Sequence, residues 1–279
     1  MQSLIDVARK LPDPARSILR TAYRASFRLR FALPRVVRDF IASRGPVYRD
    51  DTRVVMQDCG AWRSYVKTFR FPGKYISAFH ARLSAAPLGR MGVPFCINLG
   101  VDGFLAREEA MKLYELAFFG PGDVLELGTF KGLSTSIIAK ALDDRRSGAL
   151  VTCDIDPNFS AAAAQFVRSS PGGERVSFLV GDAPELIDGL IADGRKFGFV
   201  FVDHWHGYDA THAVAVRLSK VLAPGGFVLF HDYNDPDTKN PDHHHKVYQA
   251  VHDTIADDPA FRFCCVTASS AAFQHCPPK

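Results

Sequence analysis

The sequence predicts an α/β protein: a doubly wound, mostly parallel seven-stranded sheet with a C-terminal antiparallel hairpin, preceded by an N-terminal helical extension. Three observations predict it. From about residue 105, apolar runs of strand length alternate with stretches of helical periodicity. The first run passes into a glycine-bearing turn and then a helix. The last two runs leave no room for a helix between them, so they pair as a hairpin.

Composition sets the outer bounds. The chain has 279 residues, 47% hydrophobic and 23% charged, so it is globular and long enough to bury a full core. No apolar run approaches the ~20 residues of a membrane helix. The start, MQSLIDVARK, lacks an apolar stretch followed by a small-residue cleavage site. The six cysteines (Cys59, Cys96, Cys153, Cys264, Cys265 and Cys276) form no CxxC pair. Reduced thiols and a cytoplasmic location are therefore the expectation.

Charge separates a leader from a body. Residues 1–49 hold ten Arg and one Lys against Asp6, Asp13 and Asp39, a net of +8; the whole chain is +4, which leaves 50–279 at −4. Pro12, Pro14 and Pro34 divide this basic leader into short helices. Between Pro14 and Pro34, apolar Ile18, Leu19, Ala22, Tyr23, Phe27 and Leu29 alternate with Arg16, Arg20, Arg24, Arg28 and Arg30. Such a helix packs on the body or on a second copy in a homo-oligomer. The alternative is peripheral contact with an anionic membrane surface. Residues 50–104, punctuated by Gly60, Pro72, Gly73, Pro87, Gly89, Gly92 and Pro94, read as an irregular connecting or lid segment. Residues 105–279 form the regular domain.

Within that domain a helix spans 107–119 and ends at Gly120-Pro121-Gly122. Strands follow at 124–127, 150–154, 176–180, 199–202, 227–230, 261–266 and 271–274, with helices at 134–142, 161–167, 183–192 and 210–222.

Three strand ends carry candidate ligand contacts. Val124-Leu125-Glu126-Leu127 runs into Gly128-Thr129-Phe130-Lys131-Gly132, and a helix opens near Ser134. Glycine lets the turn bend sharply, and the free N–H groups of the helix start face a ligand. The spacing is GxxxG rather than the GxGxxG of a pyrophosphate loop, and no Gly-Lys-Ser/Thr follows, so the ligand is a nucleoside without a phosphate chain. Asp154, at the end of the second strand and 22 residues after Gly132, is placed to accept from both ribose hydroxyls. Asp156, before Pro157, reads as a helix cap. Asp182, beside Ala183 at the third strand end, could accept from an adenine amino group; its bland role is a cap.

The order ExGxxxGxS (126–134), DIDP (154–157), GDA (181–183) resembles the class I S-adenosylmethionine-dependent methyltransferases. Phe201-Val202-Asp203-His204-Trp205-His206-Gly207-Tyr208 and Leu222-Ala223-Pro224-Gly225-Gly226-Phe227-Val228-Leu229-Phe230-His231-Asp232-Tyr233 are similar to the DxxHxY and LxPGGxxxxHDY segments of a bacterial O-methyltransferase group. That group includes enzymes similar to cephalosporin-pathway and rhamnosyl or macrolide-sugar O-methyltransferases. The resemblance covers about 105–275 and implies a Rossmann-like sheet that binds S-adenosylmethionine. Carried over, Glu126, Gly128, Thr129, Phe130, Gly132 and Ser134 would shape the methionine pocket. Asp154 would hold the ribose, Asp182 and Ala183 would border the adenine, and Asp203 would lie beside the reacting methyl.

Methyl transfer to oxygen needs alignment and removal of a hydroxyl proton. Two solutions fit. In one, Asp203, Asp232 and His231 hold a divalent metal, Mg²⁺ or Mn²⁺; related families place an oxygen ligand where His231 stands, so a softer ion such as Mn²⁺ or Zn²⁺ gains ground. In the other, His206 or His231 is a metal-free general base. Trp205, Tyr208 and Tyr233 could stack on the acceptor. His243-His244-His245 reads as a solvated helix start, or alternatively as a loop at the substrate mouth. The acceptor implied is a small molecule: a sugar, polyketide or phenolic. Nucleic acid is not expected, since the body is acidic and lacks an Asn-Pro-Pro-Tyr motif. A non-catalytic binder on the same scaffold is the alternative.

Overall fold

The computed structural model describes residues 75–235, 242–256 and 258–277. The leader at 1–49, residues 50–74 and Cys59 lie outside the described residues.

The first described element is α1 (Ala78–Ala85), which opens at Ser77, whose hydroxyl accepts the His80 N–H at 3.1 Å. Leu88 then bridges Ile97 in antiparallel fashion. Leu83 and Ile97 are fully buried in the same cluster as the next helix, α2 (Arg107–Phe119). Over 75–104 the chain packs into the core, although beyond α1 most of the stretch is irregular.

From α2 onward the expected alternation holds. It runs β1 (Asp123–Leu127), α3 (Leu133–Arg145), β2 (Leu150–Asp154), α4 (Pro157–Arg168), β3 (Val176–Val180), α5 (Ala183–Ala192), β4 (Phe197–Val202), α6 (Tyr208–Ala215), α7 (Leu218–Val221) and β5 (Leu222–Phe230). There follow α8 (Val247–Val251), a π-helical turn (His252–Ala256), β6 (Phe261–Thr267) and β7 (Ser270–His275). The sheet order is β3-β2-β1-β4-β5-β7-β6. The first five strands run parallel, and β7 pairs antiparallel with both β5 and β6, which is the expected terminal hairpin.

Alternate side chains of a strand point to opposite faces. Leu125, Val200, Val202, Val228 and Phe230 enter one buried cluster, while Val124, Phe199, Phe201 and Leu229 enter another. Each face of the sheet thus has its own apolar layer, and all six residues of β4 are buried.

Three elements differ from expectation for local reasons. β5 begins at Leu222 and runs through Pro224-Gly225-Gly226, not from residue 227. A register shift against β4 between Phe197 and Phe199, with Gly225 at φ +78°, accommodates the proline. The helix expected over 210–222 is two, broken around Val216 and Arg217. The histidine run is not a helix start: α8 begins at Val247, after His243–His245.

Glu109, on the first turn of α2, ties the ends of the domain together. Its Oε2 accepts the Ala106 N–H at 2.8 Å. Its Oε1 accepts from the Ser269 N–H (3.0 Å), the Ser269 hydroxyl (2.6 Å) and the Ser270 hydroxyl (2.9 Å) in the β6–β7 turn. Replacing this buried acceptor leaves several donors unsatisfied. Glu109→Ala should lower unfolding free energy by on the order of 3 kcal/mol in chemical denaturation; a loss below ~1 kcal/mol would contradict this role.

Candidate active site

Because β1, β2, β4 and β5 are parallel, their carboxyl ends share one edge. The strand order reverses between β1 and β4, so the loops after these two strands flank a crevice at that edge.

The β1 loop is fixed by close approach to protein, not by space left for a ligand alone. Gly128 has φ +101°, and a Cβ there would lie 2.0 Å from the Asp203 carbonyl oxygen. Gly132 has φ +90°, and a Cβ would meet Val167 at 3.0 Å and Ala163 at 3.2 Å on α4. Between them Phe130 adopts φ +45° and packs edge-on to Phe159 at 4.8 Å.

Asp154 faces this loop. One carboxylate oxygen accepts the Phe130 N–H at 2.7 Å and the other the Asp156 N–H at 2.9 Å. Each oxygen keeps a further lone pair. Asp156 caps α4 by accepting the Asn158 N–H at 2.8 Å, the role its place before Pro157 indicated. Asp182 is exposed at the start of α5 and makes no side-chain cap bond, while Ala183 is buried.

Beneath the loop, Glu126 is fully buried. Its Oε2 accepts from the Thr135 and Thr152 hydroxyls, both at 2.6 Å, and Oε1 has no partner. Thr152 also bonds Thr129, at 2.6 Å. Burial pushes the Glu126 carboxyl up to about 7, against partial compensation from Ser134, Thr135 and Thr152.

Across the crevice, the ends of β4 and β5 bring the expected polar residues together. His231 Nδ1 stands 3.0 Å from an Asp203 oxygen and 3.3 Å from an Asp232 oxygen, and its Nε2 stands 3.6 Å from Glu109. His206 Nε2 lies 3.3 Å from the same Asp203 oxygen and 3.4 Å from the other Asp232 oxygen. His231 is buried, yet neither of its nitrogens is aligned for a hydrogen bond. Asp232 itself adopts φ +54°.

Charge compensation is strong here. Burial alone would push His231 down, but Asp203, Asp232 and Glu109 outweigh it and hold its imidazolium well above the usual range. Burial opposes ionisation of Asp203 and Asp232, yet both are held below the ordinary carboxylate value, chiefly by His231. His206 is raised, with burial outweighed by Asp203 and Asp232. His204, by contrast, is pushed down to about 4 by burial and by His206.

The aromatic candidates separate. Tyr233 is fully buried against Tyr248 and Phe273, so it is a core residue and not an acceptor platform. Trp205 is 64% exposed and stacks on His244 at 5.6 Å. Tyr208 donates to Asp253 at 3.0 Å. Sequence reasoning missed Glu109, Thr135, Thr152 and the approach of His245 to His206, with ring centres 4.8 Å apart. The triple-histidine run was the available signal for the last; the others needed the topology.

Residues 125–233 match a family model described as a methyltransferase domain. The caffeoyl-CoA O-methyltransferase of Stellaria longipes is 31% identical over 115 residues, 39% of this chain and 45% of that protein. The catechol O-methyltransferase of Niastella koreensis is 32% identical over 109 residues, 38% and 47% of the two chains. The matches thus span less than half the length of these curated relatives. Among solved structures, the O-methyltransferase TomG of Streptomyces achromogenes, in complex with SAM, superposes with a TM-score of 0.52 at 24% identity, covering 62% of this chain and 82% of that one. An O-methyltransferase from Bacillus cereus, in complex with SAH, gives 0.51 at 15% identity, covering 87% and 97%. The likeness to these solved structures shows the fold, the Rossmann-like sheet of class I methyltransferases, and residues 125–233 are similar to the methyltransferase-domain model.

Glu126 supplies a pH signature. Its folded value lies above the ordinary 4.5, so the native state holds this proton more tightly than the unfolded chain does. Its stabilising contribution is complete below about 4.5 and is lost as pH rises through about 7. Denaturation of the wild type should show that decline, up to roughly 3 kcal/mol, and Glu126→Gln should remove it. A decline of equal size in the variant would contradict the assignment.

Proposed function

We propose that this chain transfers the methyl group of S-adenosylmethionine to a hydroxyl oxygen of a small molecule. One observation carries the reading. At the carboxyl edge of the sheet, the glycine-bearing loop and Asp154 stand on one side and a half-buried cluster of carboxylates and imidazoles on the other. The named activities of the relatives, caffeoyl-CoA and catechol O-methylation, support a phenolic acceptor with adjacent oxygens.

The chain's residues fit the cofactor. Asp154 keeps a lone pair on each oxygen, which suits two ribose hydroxyls. Glu126 keeps a buried, unpartnered oxygen below the loop, which suits an ammonium group. Gly128 and Gly132 hold the loop against the β4 end and α4, so the pocket is preorganised. S-adenosylmethionine, when bound, supplies the activated methyl on a sulfonium leaving group.

The polar cluster fits a divalent cation better than a lone general base. Asp203, His206 and His231 bring three ligating atoms within 4.8 Å of one another, with Asp232 beside both rings, which is a donor set for a cation. Asp203, His231 and Asp232 would hold the ion, which supplies Lewis acidity to lower the acceptor hydroxyl's pKa. Asp203, at the end of β4, then fixes the acceptor oxygen relative to the pocket formed by β1 and β2. No helix among the described residues is long and apolar enough to cross a membrane.

The test is titration calorimetry with S-adenosylmethionine, followed by transfer of labelled methyl to catechol-type acceptors and sugars. Wild type should bind and turn over. Asp154→Ala should weaken cofactor binding by about 1–3 kcal/mol. Asp203→Ala should abolish turnover with cofactor affinity largely kept. Absence of binding in the wild type would overturn the reading, and turnover retained in Asp203→Ala would remove Asp203 from the mechanism.

A further inference from the structure

Two sets of ligating atoms meet at this cluster. Asp203, His206 and His231 form one triad, and His206, Asp232 and His245 form another, with the atoms of each within 4.8 Å of one another. His206 is common to both. Asp232 spans them as well, with one oxygen 3.3 Å from His231 Nδ1 and the other 3.4 Å from His206 Nε2.

Within each triad, neighbouring atoms are spaced as ligands around an ion are, and the two triads meet at His206. Atoms bound to a common ion at about 2.0–2.1 Å stand about 3.0–3.4 Å apart in octahedral or tetrahedral geometry. The four distances linking Asp203, His206, His231 and Asp232 are 3.0, 3.3, 3.3 and 3.4 Å. His231 is 6% exposed at its side chain, and its ring nitrogens face carboxylates without hydrogen-bond alignment.

His245 approaches from a different element. The segment before α8 is held to the β4–α6 loop by the Lys246 N–H, which donates to the His206 carbonyl at 2.7 Å. That bond sets the His245 ring 4.8 Å from the His206 ring. The neighbouring His244, whose ring centre lies 4.4 Å from that of His245, stacks on Trp205.

We propose that His245 is a protein ligand of the divalent cation, completing an Asp203–His206–His231–Asp232–His245 pocket that selects a borderline transition ion such as Zn²⁺ over Mg²⁺. The inference rests on the methyltransferase reading only in placing an ion at this edge. Three imidazoles and two carboxylates make a nitrogen-rich set; Mg²⁺ favours oxygen ligands and retained waters, whereas imidazole suits Zn²⁺ and its neighbours.

The experiment uses the full chain, stripped of metal and titrated with Zn²⁺, Co²⁺ or Mg²⁺ alone, without cofactor. Zn²⁺ should bind at least 100-fold more tightly than Mg²⁺. His245→Ala should weaken Zn²⁺ about 10–100-fold and change the visible absorption bands of the Co²⁺ form. His245→Gln should do the same, which guards against a folding defect of one variant, and thermal melts of both should match wild type. His243→Ala and His244→Ala should leave Zn²⁺ affinity within about twofold. Unchanged Zn²⁺ affinity and Co²⁺ spectrum in the His245 variants would overturn the proposal. So would Mg²⁺ binding as tightly as Zn²⁺, or equal losses in all three histidine variants, which would indicate a surface histidine cluster. If S-adenosylmethionine binds and reacts while ion affinity ignores His245, this proposal fails and the methyltransferase reading stands. If the ion binds as described but the cofactor does not, the converse holds.

Discussion

The contact between Gly128 and the Asp203 carbonyl is the constraint on which the site depends. It joins the loop after β1 to the end of β4 so closely that no side chain fits between them. The parallel sheet brings the strand ends to one edge, where the Asp203 N–H donates to the Leu127 carbonyl at 2.8 Å, and the Gly128 contact closes the junction between the two halves of the crevice. On one side lie Glu126, the Gly128–Gly132 turn and Asp154. On the other lie Asp203, His206, His231 and Asp232. Alignment of donor and acceptor is the main catalytic requirement of a methyl transfer, so a rigid junction between the two halves is where the fold meets the chemistry.

Electrostatics make the second half unusual. Three carboxylates and two imidazoles share a small, mostly buried volume at the ends of β4 and β5 and the start of α2. Burying such groups is costly unless charges compensate, and here each ionised group is held by its neighbours. Proton-mediated compensation serves in the free protein; a dication among the same atoms would serve equally. Glu109 links this cluster to overall stability, because the same carboxylate that faces His231 also bonds the β6–β7 turn. The hairpin that distinguishes this sheet from an all-parallel one is thereby coupled to the site.

Much of this was legible in the sequence, because strands buried on both faces read as apolar runs and their ends carry the ligand-facing residues. β2, β3, α2 and α5 fell within their expected bounds. Asp154 closes β2, and Asp203, His231 and Asp232 follow β4 and β5 directly, so their positions at the sheet edge were legible. What failed depends on contacts distant in sequence. Glu109 meets Ser269 across 160 residues, and no periodicity encodes that pairing. Gly128 and Gly132 looked like room for a ligand, yet each is required by protein backbone or α4 side chains. Tyr233 followed a site motif but turned into the core. The histidine run was visible, but which of its members reaches the cluster is decided by a backbone bond from Lys246 to His206.

The most direct measurement is diffraction from crystals grown with S-adenosylhomocysteine and soaked in a transition ion, recorded at that ion's absorption edge. The account predicts an anomalous peak enclosed by Asp203, His231 and Asp232, with the nucleoside seated on the Gly128–Gly132 turn and its ribose on Asp154. A nucleoside bound elsewhere, or an ion peak away from those three side chains, would contradict it.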